Sequence, residues 1–450
     1  MGNDKVKQQE GFRHLEAKKL FNWAKAGESA SIVGMSGVGK SNLFNHLRAP
    51  QTQKMYLGTN EDRTIVIRAN FHYVPDFADR SVYSLLLEQL EMLDIERFNI
   101  SEDVINQIYL LHEKMLDAGD DVLKVQRYFK QAVRMILGNS NRKLVILCDQ
   151  FDEIYQEASP RLFANLRGLR EAYKYRVSYF IFTRDLMTNL IDLDPEREEF
   201  YELMASNIMG LKPYNAVDAK LLLLRIAERN NMELPEGVPE LLYKLTGGHA
   251  GLLRASYLGI MEKGLNDKLD EPNIVQRILK VPGIDIECEK IWRSLSVRER
   301  RVLAQLMLDA VPAKTERPIL AQLQIKGVLS EDRKLFSQLF GNYVGGQEAL
   351  WERPLYFDVK ARQVWVVGEA APKLTPLEFK LLRLLYERAG EVVVKDELVQ
   401  AGWPEAHGGV SDEALTAAIS RLRKKIEPDP KNPRFLENVH NQGYVLKLDG

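Results

Sequence analysis

Residues 34–41 read Gly34-Met-Ser-Gly-Val-Gly-Lys40-Ser41: a glycine, four residues, then Gly-Lys-Ser. This is the P-loop pattern, and its flanks supply the context that the chemistry needs. Ser29-Ala-Ser-Ile-Val-Gly34 ahead of it is a short apolar run suited to a buried strand. Asn42-Leu-Phe-Asn-His-Leu-Arg48 behind it puts Leu43, Phe44 and Leu47 on one helical face. In such a strand–turn–helix, Gly34, Gly37 and Gly39 let backbone N–H groups curl around a β-phosphate at a helix N-terminus, where free donors and the helix dipole favour an anion. Ser36, Val38 and Asn42 complete the expected nucleotide-binding set. Lys40 would reach the β/γ oxygens and Ser41 would ligate magnesium, so the expected cofactors are ATP or ADP with Mg2+.

Composition narrows the setting. A chain of 450 residues exceeds what one core usually serves, so two to four domains are expected. The hydrophobic share of 45% and the charged share of 28% are those of an ordinary globular protein. With 62 basic and 63 acidic side chains the net charge is −1, so any nucleic-acid site must be local. Cys148 and Cys288 suggest neither a disulfide framework nor a zinc site. The N-terminus is polar, and no apolar run approaches the roughly 18 residues of a membrane helix. A cytoplasmic protein without membrane contact is expected.

Around the P-loop the chain alternates strands with helices. A helix over residues 8–26 carries Phe12, Leu15, Leu20, Phe21 and Trp23; Thr64–Phe71 reads as a strand, and 80–97, 101–117 and 120–137 have helical spacing. Lys143-Leu-Val-Ile-Leu-Cys-Asp149-Gln-Phe-Asp152-Glu153 is an apolar run ending in aspartate, the Walker B pattern. A buried parallel strand would deliver Asp149 at its carboxyl end to hold the magnesium shell. Asp152 and Glu153 either polarise an attacking water or cap the next helix. Val177–Thr183 is a further strand, followed by Arg184 as a phosphate sensor or, alternatively, a surface ion pair. Residues 216–230 and 238–263 read as purely helical, with Thr246-Gly-Gly-His249-Ala-Gly-Leu-Leu253 between helices. His249 touches phosphate or serves the helix cap. The alternation implies a three-layer α/β domain with a mostly parallel sheet.

Taken together, GMSGVGKS at 34–41, LVILCDQFDE at 144–153, FIFTR at 180–184 and TGGHAGLL at 246–253 resemble the STAND branch of the AAA+ ATPases, related to the origin-recognition group. The resemblance spans roughly 10–282. It implies Lys40, Ser41, Asp149 and Arg184 in the nucleotide site and His249 on a helical lid. It also implies an ADP-closed, ATP-open switch that self-associates when active. Many hydrolytic relatives follow the Walker B aspartate with glutamate, whereas this chain has Gln150, which suits a slow switch. No arginine finger is assignable. Two helices, a Lys-Gly turn and a β-hairpin between Ile291 and Phe340 resemble the winged helix that follows STAND modules and packs on the nucleotide domain. Arg298, Arg300 and Arg301 are accordingly read there as a solvated face, not DNA contacts.

The last hundred residues carry a second signal. Pro354–Val367 alternate as short antiparallel strands. Leu374-Thr-Pro-Leu-Glu-Phe opens a helix with a Thr cap, Pro and Glu, its apolar side being Leu377, Leu381, Leu384 and Leu385. Val394–Gln400 is a second helix, and Ser411 caps a third whose inner face is Leu415, Ile419, Leu422 and Ile426; Asn441–Tyr444 turns a terminal hairpin. LTPLEFKLL at 374–382, DEL at 396–398, Trp403, ISRLRKKI at 419–426 and GY at 443–444 resemble the OmpR/PhoB-type winged helix-turn-helix, which reads promoters with its third helix in the major groove. The resemblance implies that Thr416, Ala417, Ser420 and Arg421 face base edges. It puts Arg421, Arg423, Lys424 and Arg434 on phosphates, with His440 in the wing. Residues 353–450 hold 15 Lys+Arg and 14 Asp+Glu, so few phosphates are neutralised and intrinsic affinity is expected to be weak.

The expected architecture is a P-loop domain (1–212), a helical lid (213–282), a winged helix packed on the ATPase (283–348) and a DNA-binding winged helix (349–450). The expected function is a transcription regulator whose ATP/ADP state gates oligomerisation and promoter binding. An ATPase that loads on DNA and a nucleotide-switched scaffold without DNA binding are the alternatives. Double-stranded DNA and a second copy of the chain are the expected partners, with RNA polymerase or a signalling protein as further candidates.

Overall fold

A computed structural model describes residues 11–119, 121–138, 140–191, 194–262, 271–307, 316–346, 355–359, 362–366, 369–404, 410–439 and 442–448. The chain divides into two compact units, one of residues 1–299 with 313–342, the other of 300–312 with 343–450.

In the first unit five strands form one sheet: β1 (Ala30–Val33), β2 (Thr64–Asn70), β3 (Lys143–Asp149), β4 (Val177–Thr183) and β5 (Ile208–Gly210), in the order β2-β3-β4-β1-β5. Every pairing is parallel. Parallel neighbours need long crossovers, which the intervening helices supply, and covering both faces explains strands that read as continuous apolar runs. On one face Ile65, Ile67, Ile146, Tyr179 and Ile181 join the core built with helices Asp79–Glu91, Val122–Leu137 and Pro160–Ala172. On the other, Phe44 of helix Lys40–Arg48 meets Phe182 edge-on at 5.6 Å. The result is mixed α/β, a parallel sheet between helical layers. The carboxyl ends of β1, β3 and β4 lie side by side, which is where such sheets bind ligands.

Several expectations change in detail. β5 is too short to announce itself. The helix expected over 80–97 stops at Glu91 and resumes at Ile95–Phe98, where Asp94 accepts from the Arg97 N–H. Within 238–263 the break falls at the Gly-Gly turn, as expected: helices Val238–Thr246 and Ala250–Glu262 are separated by Gly247 and Gly248, which turn left-handed at φ 60° and 80°. Leu15 is 76% exposed, because the buried face of helix His14–Ala26 is made by Ala17, Leu20, Phe21 and Ala24. Among the described residues between 282 and 345 there are four helices, Pro282–Ser294, Val297–Met307, Arg317–Ile325 and Gln338–Gly345. The hairpin expected there reduces, among the described residues, to one bridge, Leu329 to Leu335. Arg298 and Arg301 are exposed as expected, but Arg300 is buried and donates to the Tyr356 hydroxyl at 3.3 Å, so it is not part of a solvated face.

The second unit holds two antiparallel three-stranded sheets: β6 (Leu355–Asp358), β7 (Gln363–Val366) and β8 (Glu369–Ala370), then β9 (Val392–Val394), β10 (Leu436–Val439) and β11 (Gly443–Leu446) in the order β10-β11-β9. Three helices, Pro376–Glu387, Lys395–Gly402 and Asp412–Ile426, pack between them around Leu381, Leu385, Leu398, Leu415, Ile419, Leu422 and Tyr444. The first opens with a full capping box: the Glu378 N–H donates to Thr375 Oγ1 and the Thr375 N–H to Glu378. Of the inner positions expected on it, Leu377 and Leu384 are half-buried and Leu382 takes a core place instead. Three helices with a terminal hairpin make this unit a winged helix.

Candidate functional site

The phosphate loop is shaped by contacts that only glycine permits. Gly37 and Gly39 have φ of 73° and 102°, in the region that L side chains avoid. A Cβ at Gly39 would lie 2.3 Å from the Tyr214 hydroxyl oxygen, and one at Gly37 2.8 Å from His249 Cε1. Among the described residues no backbone acceptor meets the N–H groups of Gly37, Gly39, Lys40 or Ser41, leaving a concave set of donors at the start of helix Lys40–Arg48. Lys40 is folded onto its own loop, its Nζ donating to the Gly34 carbonyl at 2.5 Å and the Met35 carbonyl at 3.1 Å. Burial pulls its pKa down to about 8, against the upward pull of Asp152 and Asp149.

At the end of β3, Asp149 is buried and its Oδ1 accepts the Gln150 N–H at 3.0 Å. Burial raises its pKa, with Lys40 and Arg68 opposing. Gln150 stands at φ 56°, a left-handed non-glycine position, as the cap of helix Phe151–Glu157. Asp152 is buried and accepts the Arg184 N–H at 2.8 Å, with Arg184 Nε 3.5 Å from its other oxygen. Glu153 is exposed, 3.9 Å from Arg184 Nη2. Thus Asp152 fixes the residue that follows β4.

The start of helix Ala250–Glu262 meets the loop directly. His249 is fully buried; its Nε2 lies 2.8 Å from the Ser36 carbonyl while its Nδ1 accepts the Leu252 N–H at 3.3 Å. Those partners assign the proton to Nε2, and burial drives the pKa down to about 4. The Gly251 N–H donates to the Gly37 carbonyl at 3.1 Å. Both ring nitrogens of His249 are therefore engaged with protein.

Arg13 is a residue that sequence reasoning missed. It is buried, and its guanidinium donates to the carbonyls of Val38 at 3.0 Å and Lys212 at 2.9 Å. It also lies 4.2 Å from the Tyr214 ring centroid, and the Tyr214 hydroxyl accepts from Asn42 Nδ2 at 2.9 Å. Ser36, Gly37, Gly39, Lys40, Ser41 and Asn42 then line a cavity of about 450 Å³ together with Gln150, Arg184, Arg225, Arg229, Ala250, Gly251 and Arg254. Gly34, Val38, Asp149, Asp152, Glu153 and His249 stand outside that lining. Arg225 and Arg229 were legible as an i, i+4 pair beside Leu222 and Ile226, though nothing in that spacing says they face a loop 185 residues earlier. Among the described residues no three His, Cys, Asp or Glu side chains gather as a metal cage.

In the second unit, Thr416, Ala417, Ser420, Arg421 and Lys424 are exposed along one face of helix Asp412–Ile426, and Arg434 is exposed beside β10. Arg423 instead donates through Nε to the Leu436 carbonyl at 2.9 Å. Lys425 is tied to Glu378 and the Lys373 carbonyl, both at 2.7 Å. His440 lies outside the described residues.

The first unit is thus a P-loop α/β domain and the second a winged helix. Residues 369–446 match the family model described as "Transcriptional regulatory protein, C terminal", so this segment is a DNA-binding domain of the OmpR/PhoB type. Protein PetR of Rhodobacter capsulatus is 38% identical over 103 residues, 21% of this chain and 42% of that protein. The probable transcriptional regulator ycf27 of Guillardia theta is 28% identical over 183 residues, 40% of this chain and 69% of that protein. The chain therefore spans about two fifths of PetR's own length. A Walker-type ATPase of Pyrococcus abyssi superposes with a TM-score of 0.47 at 16% identity, over 74% of this chain and 95% of that one. Among the described residues no helix is long and apolar enough to cross a membrane.

Proposed function

We propose that the chain is a transcription regulator in which ATP or ADP with Mg2+, held at the P-loop, governs self-association and thereby binding to double-stranded DNA. The observation that carries this reading is the cavity at the phosphate loop. Unpartnered backbone donors, Lys40 and the guanidinium groups of Arg184, Arg225, Arg229 and Arg254 all border it, a donor set suited to a polyphosphate. The same chain carries the OmpR/PhoB-type domain. The groups fit the cofactor: Lys40 and the loop N–H groups would hold the phosphates, and Ser41 with Asp149 would hold magnesium. Magnesium would neutralise the charge shared by the β- and γ-phosphates. We assign nucleotide binding to 1–212, the lid to 213–282, a segment packed on the ATPase to 283–348 and DNA binding to 349–450. Thr416, Ala417, Ser420 and Arg421 would meet bases, and Arg421, Lys424 and Arg434 phosphates.

The test is selection of bound fragments from sheared genomic DNA, with ADP in one arm and a non-hydrolysable ATP analogue in the other. One enriched motif, stronger with the analogue, is the expected result. Enrichment that is uniform in both arms would point to a loader, and none in either to a scaffold.

A further inference from the structure

Directly after Arg184, the Asp185 side chain makes three contacts. Its Oδ1 accepts the Leu186 N–H at 2.7 Å and Asn189 Nδ2 at 3.0 Å, and its Oδ2 lies 2.7 Å from the ammonium of Lys326. Lys326 has no exposed surface, and its Nζ also lies 2.7 Å from Oε1 and 2.8 Å from Oε2 of Glu299, itself buried. Glu299 is not an incidental neighbour. It caps helix Val297–Met307 by accepting the Ser296 N–H at 2.8 Å, and from Arg300 onward that helix belongs to the second unit. The end of helix Arg317–Ile325 is pressed onto the sheet beside this triad: a Cβ at Gly210 of β5 would lie 2.0 Å from the Ile325 carbonyl oxygen.

One carboxylate already balances the buried ammonium, so the second buried carboxylate is tolerated only while it stays in contact with Lys326. Loss of any contact leaves an uncompensated charge in a dry environment. Such an arrangement is closer to all-or-none than to graded. Its Asp185 end shares the turn with Arg184, which borders the phosphate cavity, and its Glu299 end starts the helix that leads into the DNA-binding unit. We infer that Lys326 is a positioning residue of the nucleotide site, supplied by the segment after the ATPase, and that the Asp185–Lys326–Glu299 triad carries nucleotide state to helix Val297–Met307. This rests on the nucleotide reading above and names its route of regulation. Arg184 drawn toward a γ-phosphate would pull on the Asp185 turn and strain the triad, whereas ADP would leave it closed.

The experiment is amide hydrogen exchange over 317–327 in the full chain, with ADP or a non-hydrolysable ATP analogue bound at saturation. The variants are Lys326→Met, Lys326→Arg and Glu299→Gln, and binding of each nucleotide is measured separately by calorimetry. In the wild type, exchange should be faster with the ATP analogue by about fivefold or more, the lower end of ordinary coupling between sites. Lys326→Met and Glu299→Gln should abolish that difference while still binding ADP, and Lys326→Arg should restore part of it. If Lys326→Met does not fold, Glu299→Gln decides, since it keeps the Lys326–Asp185 pair and removes one charge. Equal exchange in the two nucleotide states of the wild type, or an undiminished difference in the variants, would overturn the inference. Absence of nucleotide binding by the wild type would overturn the underlying reading as well, and the calorimetry tells the two failures apart.

Discussion

Lys40 is where the nucleotide reading is easiest to break. Folded onto the Gly34 and Met35 carbonyls with a pKa near 8, its ammonium is poorly solvated, and a polyphosphate would restore its charge. Nucleotide binding at pH 8.5 should therefore take up a fraction of a proton, seen as a buffer-dependent enthalpy in calorimetry, and affinity should fall as pH rises above 8. Lys40→Ala should lose both the uptake and tight ATP binding while leaving DNA binding measurable. His249 makes the opposite kind of statement. Its pKa falls from 6.5 to about 4 in the folded chain, so between those values the unfolded state binds the proton and the folded state does not. Stability is complete above about pH 6.5 and declines as pH drops toward 4, by roughly 3 kcal/mol if the full shift is expressed. Thermal unfolding of His249→Asn from pH 4 to 7 should show a flatter profile than the wild type. At the Walker B position, an amide cannot act as a base. Gln150→Glu is expected to raise ATP turnover, on the order of 10² if the carboxylate reaches the attacking water; an unchanged rate would show that turnover is limited elsewhere.

Helix Asp412–Ile426 shows how unevenly a sequence speaks. Its inner face, Leu415, Ile419, Leu422 and Ile426, is buried as the spacing requires, because burial is a matter of period and period is written in the chain. Its outer face was also legible up to Arg423. That side chain bends back to the Leu436 carbonyl, a contact set by the distance to β10. Arg421→Ala should weaken DNA binding and lower the salt dependence of log K by about 1, measured by titration at several salt concentrations. Arg423→Ala should instead cost about 1–3 kcal/mol of domain stability, read from chemical unfolding. The P-loop, β3 and β4 were legible for the same reason as the inner face: buried parallel strands are unbroken apolar runs, and here β3 ends in Asp149 and β4 is followed by Arg184. Arg13, Tyr214 and Lys326 were not, because each acts through a partner that is remote in sequence, and an isolated arginine or lysine has no pattern. The winged helix expected from 283 was read from helices that do exist. Its hairpin is short: Leu329 and Leu335 form one bridge, flanked by bonds from the Ser330 N–H to the Lys334 carbonyl and from the Phe336 N–H to the Val328 carbonyl, and the chain turns helical at Gln338.

At the scale of the whole molecule, one chain joins a cavity at a P-loop to a DNA-binding domain of nearly neutral composition. Few basic side chains stand on the outer face of helix Asp412–Ile426, so a single copy gains little from counterion release. Two or more copies on neighbouring half-sites would gain from effective concentration. Operator occupancy should then rise more steeply than first order in protein concentration when the ATP analogue is bound, and less steeply with ADP, as read from binding curves on a two-site fragment. A single-site curve in both states would remove self-association from the scheme. The glutamine after Asp149 gives such an assembly a further property. Under the function proposed above, a molecule assembled on ATP without a base at that position would not reset itself promptly, and its reversion would wait on nucleotide exchange. The cell would then be reading not the present level of a stimulus but its recent history, with Gln150 setting how long that memory lasts.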